Sequence, residues 1–284
     1  MIQKYLLSID LDGTLLNDKS VISRYSKSAL HAFLIAYPTS IILLNSGRPM
    51  NHMKIFLKNI MKDLKEELHQ NLYASSDNGC WLINYEEKSI YKDSFPPKLI
   101  CKIWKEACAI DLNPFAHIGE QTYMAYMTKQ ARQILRRHNT IMHFKTKSSI
   151  VQSIDHVKNI DLPKFTLLQD EPEKKQIALR FIKEKSSAYN YSWAAAEEMF
   201  FMIMASSKTK ATPIQKLSKK HKIKRQNIFI FADSDNDLPS FKTTENIIIP
   251  KSSNENLMLR AKHAIGANDQ DGVAKFIMKH FLKK

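Results

Sequence analysis

The segment Tyr5–Thr14, YLLSIDLDGT, decides the fold of this 284-residue chain. Its first half is almost continuously apolar, which is typical of a strand buried on both faces of a parallel sheet. The apolar run ends at Asp10 and Asp12, and two carboxylates two residues apart at a strand end can bind a divalent cation and still offer a nucleophile. An ordinary acidic turn is one alternative. Half of a calcium loop is another, but it is excluded because the position that needs glutamate holds Val21.

Further apolar runs follow along the chain, and stretches of helical period separate them. This alternation predicts an α/β fold with a Rossmann-like parallel-sheet core. The runs are Ile41–Leu44, Leu72–Ala74, Ile228–Phe231 and Ile247–Ile249. Residues 87–190 break the rhythm, because they mix helical and strand patterns and contain none of the loop motifs described below. We therefore expect a core built from residues 1–86 and 191–284, with an α/β domain of residues 87–190 inserted in it.

Polar loops that follow these runs should converge in space, because ligands of an open parallel sheet bind outside the carboxyl ends of its strands. The loop Asn45–Pro49 (NSGRP) offers the hydroxyl of Ser46, a main-chain amide at Gly47 and the guanidinium of Arg48. All three groups are natural phosphate ligands. Taken alone, a serine that only caps the next helix is at least as common.

Two later loops complete the pattern. Lys208–Pro213 precedes a predicted helix and offers Lys210 as a compact cation for a phosphoryl oxygen, although one more lysine in a lysine-rich chain is the simpler interpretation of this loop alone. Residues 232–237 (ADSDND) follow another apolar run, where acidic side chains can complete an oxygen-only cation site. An acidic turn without a ligand is the alternative there. The polar candidates of this last loop are Asp233, Asn236 and Asp237.

The order, placement and residue types of the four loops resemble those of the haloacid dehalogenase superfamily of phosphotransferases. The chain resembles its Cof-type phosphatases in particular, which carry a large α/β cap inserted in the core. Asp77–Cys80 (DNGC) is similar to the asparagine-glycine turn that precedes the cap in this group, and residues 267–274 (ANDQDGVA) are similar to its C-terminal signature. The resemblance covers the whole core, whereas the cap is matched only by size, position and mixed α/β pattern.

The resemblance implies a role for each candidate residue. Asp10 would be the nucleophile that forms an aspartyl-phosphate, and Asp12 would protonate the leaving oxygen and then activate water. Phosphate would be bound by Ser46, Lys210 and Asn236, and Arg48 would contact the substrate. Mg²⁺ would be held by Asp10, Asp233 and the main-chain carbonyl of Asp12. The supporting residues would be Gly13, Thr14, Gly47 and Asp237. Neighbouring carboxylates should keep Asp12 partly protonated, as an acid requires.

Two positions depart from the family pattern. The family usually has glycine before the metal-binding aspartate and after the phosphate-binding lysine, whereas this chain has Ala232 and Ala211 there. Alanine is tolerated where the backbone φ is negative and strained where φ is positive. We expect a functional backbone with a slightly altered loop geometry.

Composition limits the class of protein. An apolar fraction of 44% with 10% aromatic residues excludes a disordered or fibrous chain, and the longest apolar runs are far shorter than a membrane span. Three cysteines without paired spacing predict reduced thiols. No secretory signal is recognisable, so a cytoplasmic protein is expected, with export by another kind of signal left open. The net charge of +15 implies anionic partners.

We therefore predict a Mg²⁺-dependent phosphomonoester hydrolase that acts on sugar phosphates or similar small metabolites. A phosphoprotein phosphatase, acting on phosphotyrosine through a basic docking surface, is the first alternative, and a phosphomutase is another. A catalytically silent basic binding module is the alternative from a different class. Residues 208–225 are rich in lysine, but they lack the interleaved aromatic residues of a nucleic-acid platform. Nucleic acid is therefore not expected as a partner, whereas peripheral contact with an acidic membrane stays open.

Overall fold

The computed structural model describes residues 3–118, 121–142, 147–169, 171–196, 199–253 and 255–283. The strands are β1 Leu6–Ile9, β2 Ile41–Asn45, β3 Leu72–Ser76, β4 Trp81–Asn84, β5 Ser89–Lys92, β6 Pro114–Ile118, β7 Gln121–Met124, β8 Lys147–Ile150, β9 Lys164–Leu168, β10 Trp193–Ala196, β11 Phe200–Met204, β12 Ile228–Phe231, β13 Asn246–Pro250 and β14 His263–Ile265. The helices are α1 Arg24–Ala36, α2 Met50–Met61, α3 Glu66–His69, α4 Pro97–Ala109, α5 Lys129–Met142, α6 Pro172–Tyr189, α7 Ala211–His221, α8 Glu255–Met258 and α9 Gly272–Ile277.

The chain divides into two compact units, of which the first comprises Met1–Tyr91 with Thr209–Lys284. Its eight-stranded sheet has the order β14-β13-β12-β1-β2-β3-β4-β5. The strands from β14 to β3 are all parallel, and β4 is antiparallel to β3. Every residue of β1, β2 and β12 is buried, as their apolar sequences require in a sheet covered on both faces.

The register of this sheet determines where its loops meet. Ile9, the last residue of β1, pairs with Leu44 of β2 on one side and with Phe231 of β12 on the other. The three strands therefore end within one residue of one another. Asp10 and Ala232, which follow β1 and β12, lie level with Asn45, the last residue of β2, at the carboxyl edge of the sheet.

The second unit, Lys92–Lys208, has a six-stranded sheet of its own in the order β10-β11-β9-β6-β7-β8. It is mixed, since β7 and β8 are parallel and the other strand pairs reported for it are antiparallel. Its core is built around Trp104 and Phe165, both fully buried, whose rings meet edge to face at 6.3 Å. The α/β architecture and the separate mixed unit agree with the fold class that the sequence predicted.

The second unit extends further along the chain than the sequence boundary at residue 190. The apolar run Phe200–Met204 has the pattern of a parallel core strand, but it pairs antiparallel with β9 in the second sheet. β10 then pairs with it as the edge strand. At the other boundary, β5 still belongs to the first sheet. Among the described residues, no helix is long and apolar enough to cross a membrane.

Candidate active site

Asp10 lies at the centre of the carboxyl edge. Its main-chain N–H donates to the carbonyl of Phe231 (3.0 Å), which continues the β1–β12 ladder by one residue and fixes the start of the loop. The side chain is buried, and its Oδ1 accepts a hydrogen bond from Lys210 Nζ at 2.7 Å. The prediction that these two residues, 200 positions apart, meet at one site therefore agrees with the geometry.

Lys210 is fully enclosed, with only 1% of its surface exposed. Its ammonium also donates to Asp237 Oδ1 (2.8 Å) and Asn236 Oδ1 (3.2 Å). The main chain of Lys210 is also fixed, because the side chain of Asn45, at the end of β2, donates a hydrogen bond to the Lys210 carbonyl (2.8 Å). Burial alone would lower the pKa of Lys210, but the charges of Asp10 and Asp237 outweigh that effect and raise it. Lys210 is thus a fixed cation at this site.

Three carboxylates surround this cation. Oxygens of Asp10, Asp233 and Asp237 all lie within 4.8 Å of one another, and Thr14 Oγ1 donates to Asp233 Oδ1 (3.1 Å). Burial, with the negative charge of Asp10 and Asp237, raises the pKa of Asp233 well above its usual range. Burial likewise raises the pKa of Asp237, although Lys210 opposes the shift.

This donor set fits a divalent cation of the Mg²⁺ type. Three carboxylates against one ammonium leave an excess of two negative charges when all are ionised, and hard cations take oxygen ligands of this kind. In addition, Asp237 Oδ2 is buried and makes no hydrogen bond with any described residue, although buried polar atoms are normally paired. A cation that binds here would compensate the charge that now raises both pKa values.

Gly13 is required by its position beside Asp233. Its φ is +69°, and a Cβ added there would lie 2.2 Å from Asp233 Oδ2. Any side chain would therefore displace the carboxylate. The two alanines that replace family glycines cause no such conflict, since neither Ala211 nor Ala232 is among the described residues with positive φ.

Asp12 has a different partner from the one expected. Its two oxygens accept hydrogen bonds from Arg48, with Nε–Oδ2 and Nη2–Oδ1 both at 2.6 Å. The guanidinium also lies over the ring of Phe56, 5.4 Å from its centroid. A bidentate guanidinium favours the ionised carboxylate. The carboxylate cluster contains Asp237 instead of the Asp12 side chain, so the carboxylates expected beside Asp12 are replaced in this arrangement by a guanidinium, and the protonation of Asp12 stays a prediction.

Ser46 and Gly47 are tied to the site through Asn78, which sequence reasoning did not include among the site residues. The N–H of Asn78 donates to the Ser46 carbonyl (3.2 Å), and its Oδ1 accepts from Asn236 Nδ2 (3.1 Å). A Cβ on Gly47 would lie 2.9 Å from that same Oδ1. The sequence did contain a sign of this residue, because an Asp-Asn-Gly turn is typical of left-handed backbone. In the structure Asn78 has a φ of +54°.

The predicted residues thus form three connected groups. The first group meets directly at the carboxyl edge and consists of Asp10, Gly13, Thr14, Lys210, Asp233, Asn236 and Asp237. Ser46 and Gly47 join them through Asn78, and the Ser46 hydroxyl accepts from the N–H of Arg48 (3.1 Å). Arg48 and Asp12 form a separate ion pair.

Known proteins resemble this chain over almost its whole length. A model of the haloacid dehalogenase-like hydrolase family matches residues 7–277. The 5-amino-6-(5-phospho-D-ribitylamino)uracil phosphatase YitU of Bacillus subtilis is 21% identical over 286 residues, which cover 98% of this chain and 97% of that protein.

Solved structures show the same fold. A haloacid dehalogenase-like hydrolase from B. subtilis is similar with a TM-score of 0.80 at 18% identity, over 98% of this chain and 100% of that one. The sugar phosphatase BT4131, of HAD subclass IIB, gives a TM-score of 0.75 at 20% identity, with 98% of each chain covered. The resemblance predicted from the four loops is therefore confirmed: the chain belongs to the haloacid dehalogenase-like hydrolases, and it is an enzyme of the phosphatase type within that family.

Proposed function

We propose that the enzyme hydrolyses phosphomonoesters in the presence of Mg²⁺ through an aspartyl-phosphate at Asp10. The observation that carries the proposal is the buried Asp10 carboxylate 2.7 Å from the Lys210 ammonium, inside a cluster of three carboxylates. An anionic nucleophile can approach an anionic phosphate only where fixed positive charge lies beside both. Lys210 provides that charge on the protein side.

The reaction has two steps, transfer of the phosphoryl group to Asp10 and hydrolysis of the aspartyl-phosphate. A carboxylate oxygen of Asp10 attacks phosphorus, and the ester oxygen leaves with a proton donated by Asp12. Water then attacks the aspartyl-phosphate, Asp12 takes a proton from it, and inorganic phosphate leaves while Asp10 is regenerated. Arg48 donates to both carboxylate oxygens of Asp12 in this structure, so one of the two hydrogen bonds has to open for Asp12 to carry the proton, while the other keeps the acid oriented.

The cation would be bound by Asp10 and Asp233, with the main-chain carbonyl of Asp12 as a third ligand. When bound, it supplies positive charge to the phosphoryl oxygens. Asp237 would support the site by holding Lys210, which it contacts at 2.8 Å. Ser46, Lys210 and Asn236 would bind the phosphoryl oxygens. Asn236 is oriented for this by the Ser234 hydroxyl, which donates to its Oδ1 (2.8 Å).

The substrate class we propose is sugar phosphates and similar small metabolites. Support comes from the relatives, since YitU is named for a phosphorylated ribityl compound and BT4131 is titled a sugar phosphatase. We further propose that the second unit acts as a cap that selects the leaving group, and that Arg48 contacts the substrate. Cys80, Cys101 and Cys108 form no disulfide, which supports a cytoplasmic location.

The nucleophile is tested by substituting Asp10→Asn. We expect hydrolysis of p-nitrophenyl phosphate to be lost while the circular dichroism spectrum is unchanged. The exposed Asp269→Asn is the matched control and should retain full activity. Borohydride reduction of a quenched wild-type reaction should convert position 10 to homoserine, as mass spectrometry detects. Full activity of Asp10→Asn would overturn the assignment.

The substrate class is tested separately with a panel of sugar phosphates and phosphotyrosyl peptides. We expect turnover of several small metabolites and little turnover of peptides. The +15 charge is larger than one phosphate requires, and it is the observation that favours a phosphoprotein substrate instead. Turnover of peptides alone would establish that second function.

A further inference from the structure

The stretch from Ala205 to Ala232 contains no aspartate or glutamate. It covers α7 and the segment that leads into β12. Apart from Lys208 and the catalytic Lys210, its basic residues are all exposed: Lys216, Lys219, Lys220, Lys222, Lys224 and Arg225. We call these six residues the basic segment.

No ion pair among the described residues of the chain involves the basic segment. Some exposed lysines elsewhere have acidic partners, as in Lys58 with Glu87 (2.7 Å) and Lys88 with Glu86 (3.0 Å), and others have none in the part of the chain that the structure describes. What sets the basic segment apart is that its unpaired charges follow one another in a stretch without any acidic residue. Lys219 and Lys220 have a local explanation, because basic residues at a helix C-terminus stabilise the helix dipole. Lys222, Lys224 and Arg225 lie beyond the last helical residue, His221, and have no such explanation.

The basic segment lies at the amino edge of the sheet, opposite the catalytic edge. Arg225 lies three residues before the start of β12, Lys4 two before β1 and Lys262 one before β14, and these strands are parallel. Lys220 Nζ lies 5.7 Å from the ring centroid of Tyr73, near the start of β3. Positive charge therefore extends along the amino ends of several strands, where Glu245 is the acidic residue that precedes β13.

Two contacts support the closeness of these charges. Lys262 Nζ donates to Asn246 Oδ1 (2.9 Å), and Asn246 Nδ2 donates in turn to the carbonyl of Gln226 (2.8 Å), the residue after Arg225. Burial lowers the pKa of His221, and the charges of Lys220 and Lys4 lower it further.

An exposed aliphatic side chain accompanies these charges. Leu259 is 80% exposed, more than any other large hydrophobic residue described, and it lies between α8 and β14, next to Arg260 and three residues before Lys262. Exposed apolar side chains beside lysines are typical of surfaces that bind peripherally to membranes. Surfaces that bind single-stranded nucleic acid instead use exposed aromatic rings for stacking, and here Lys220 and Lys216 lie over the rings of Tyr73 and Tyr91. A nucleic-acid duplex needs only basic side chains, so Leu259 is the feature that favours a lipid surface over a duplex.

We propose that the amino edge of the first unit docks on an anionic lipid bilayer, with the basic segment, Lys4 and Lys262 facing the headgroups and Leu259 entering them. Each lysine or arginine near such a surface adds a comparable increment of attraction that salt screens. Because the catalytic loops lie at the opposite edge of the same sheet, the docked enzyme keeps its active site directed away from the lipid.

The proposal is tested by flotation of the full-length protein with vesicles of phosphatidylcholine alone or with about 30% phosphatidylserine. We expect binding to the anionic vesicles to be at least roughly tenfold tighter than to neutral ones, and to fall steeply with added potassium chloride. The triple variant Lys222→Glu, Lys224→Glu, Arg225→Glu should lose roughly tenfold or more in affinity. Leu259→Ser should weaken binding severalfold without altering the salt dependence.

The matched control is Lys19→Glu, Lys98→Glu, Lys158→Glu, which makes the same change in net charge at one exposed lysine after β1 and two exposed lysines of the second unit. It should bind nearly as tightly as the wild type. All variants should hydrolyse p-nitrophenyl phosphate normally, which shows that they are folded. Equal losses in the two triple variants would mean that only net charge matters, and the proposal would be overturned. The proposal would also be overturned if the protein failed to bind anionic vesicles. The same holds if a short RNA duplex displaced the protein from the vesicles at a lower concentration than added free lipid does.

Discussion

Arg48 donates hydrogen bonds to both carboxylate oxygens of Asp12, from Nε and Nη2, each at 2.6 Å. The guanidinium is mostly buried, whereas about a third of the Asp12 side chain is exposed. The pair therefore joins the loop after β1 to the loop after β2, and it fixes the orientation of the proposed general acid. It also means that any ligand that draws Arg48 away changes the charge around Asp12.

The first prediction concerns the leaving group. Arg48→Ala should slow the release of a poorly acidic alcohol in a single turnover by roughly tenfold, since a general acid that loses its orientation contributes less. Release of p-nitrophenol should change much less, because this leaving group needs little protonation. Single-turnover rates for a series of alkyl and aryl phosphates, plotted against leaving-group basicity, measure the difference.

Arg24→Ala is the control, since Arg24 is exposed at the start of α1. It should leave the whole series unchanged. If Arg48→Ala slows alkyl and aryl substrates equally and raises KM, then Arg48 acts through the substrate and not through Asp12.

The second prediction separates the backbone of Asn78 from its side chain. Asn78→Gly keeps the left-handed conformation but removes the contact with Asn236 Nδ2, so kcat should fall roughly tenfold with little change in melting temperature. Asn78→Ala removes the contact and also strains the backbone by about 1–2 kcal/mol, so its melting temperature should fall as well. Steady-state kinetics and thermal melts of both variants provide the test. A normal kcat in Asn78→Gly would show that the side chain does not position the site.

The sheet and the carboxylate cluster could be predicted because they depend on short-range pattern and strand order. Apolar runs marked β1, β2 and β12, and Asp10 and Asp233 followed once those strands were placed in one parallel sheet. Lys210 precedes α7 and follows no strand of this sheet, so its place beside Asp10 was predicted from the resemblance of the four loops to the family.

The partner of Asp12 could not be predicted in the same way. Arg48 was assigned to substrate because arginine suits phosphate, but the same planar donor pair suits a carboxylate equally well. Which anion it binds depends on distances between two loops that no sequence pattern reports. The boundary near residue 190 failed for a related reason, because an apolar run such as Phe200–Met204 fits either of two sheets.

The third prediction concerns magnesium. Because the pKa of Asp233 is raised by burial and by Asp10 and Asp237, a cation that binds there must displace a proton. Mg²⁺ should therefore raise the melting temperature of the wild type, and the increase should be larger at pH 8 than at pH 6. Asp233→Asn should show almost no increase at either pH. Calorimetry in buffers of different ionisation enthalpy should detect proton release, and a shift independent of pH would contradict this coupling.

The fourth prediction concerns stability at mildly acidic pH. The rings of His263 and His280 lie 5.9 Å apart, and burial lowers the pKa of both, with Lys262 contributing to each shift and His263 to that of His280. Unfolded histidine titrates near pH 6.5, so the unfolded chain binds more protons than the native chain just below that pH. By linkage, these two residues make the free energy of unfolding fall as pH falls through about 6.5.

Replacing both residues, His263→Gln with His280→Gln, should therefore flatten the loss of unfolding free energy between about pH 7.5 and 5.5. The absolute stability of the variant should be lower, because His280 stacks on Phe276 at 5.0 Å, so the informative quantity is the slope. The slope has to be compared with that of the wild type, because the raised pKa values of Asp233 and Asp237 make the free energy of unfolding rise as pH falls. This contribution is the same in both proteins and cancels in the comparison. His156→Gln, an exposed change in the second unit, should leave the slope as it is. High salt should also reduce the wild-type slope, because it screens Lys262 from both rings, and an unchanged slope in the double variant would contradict the assignment.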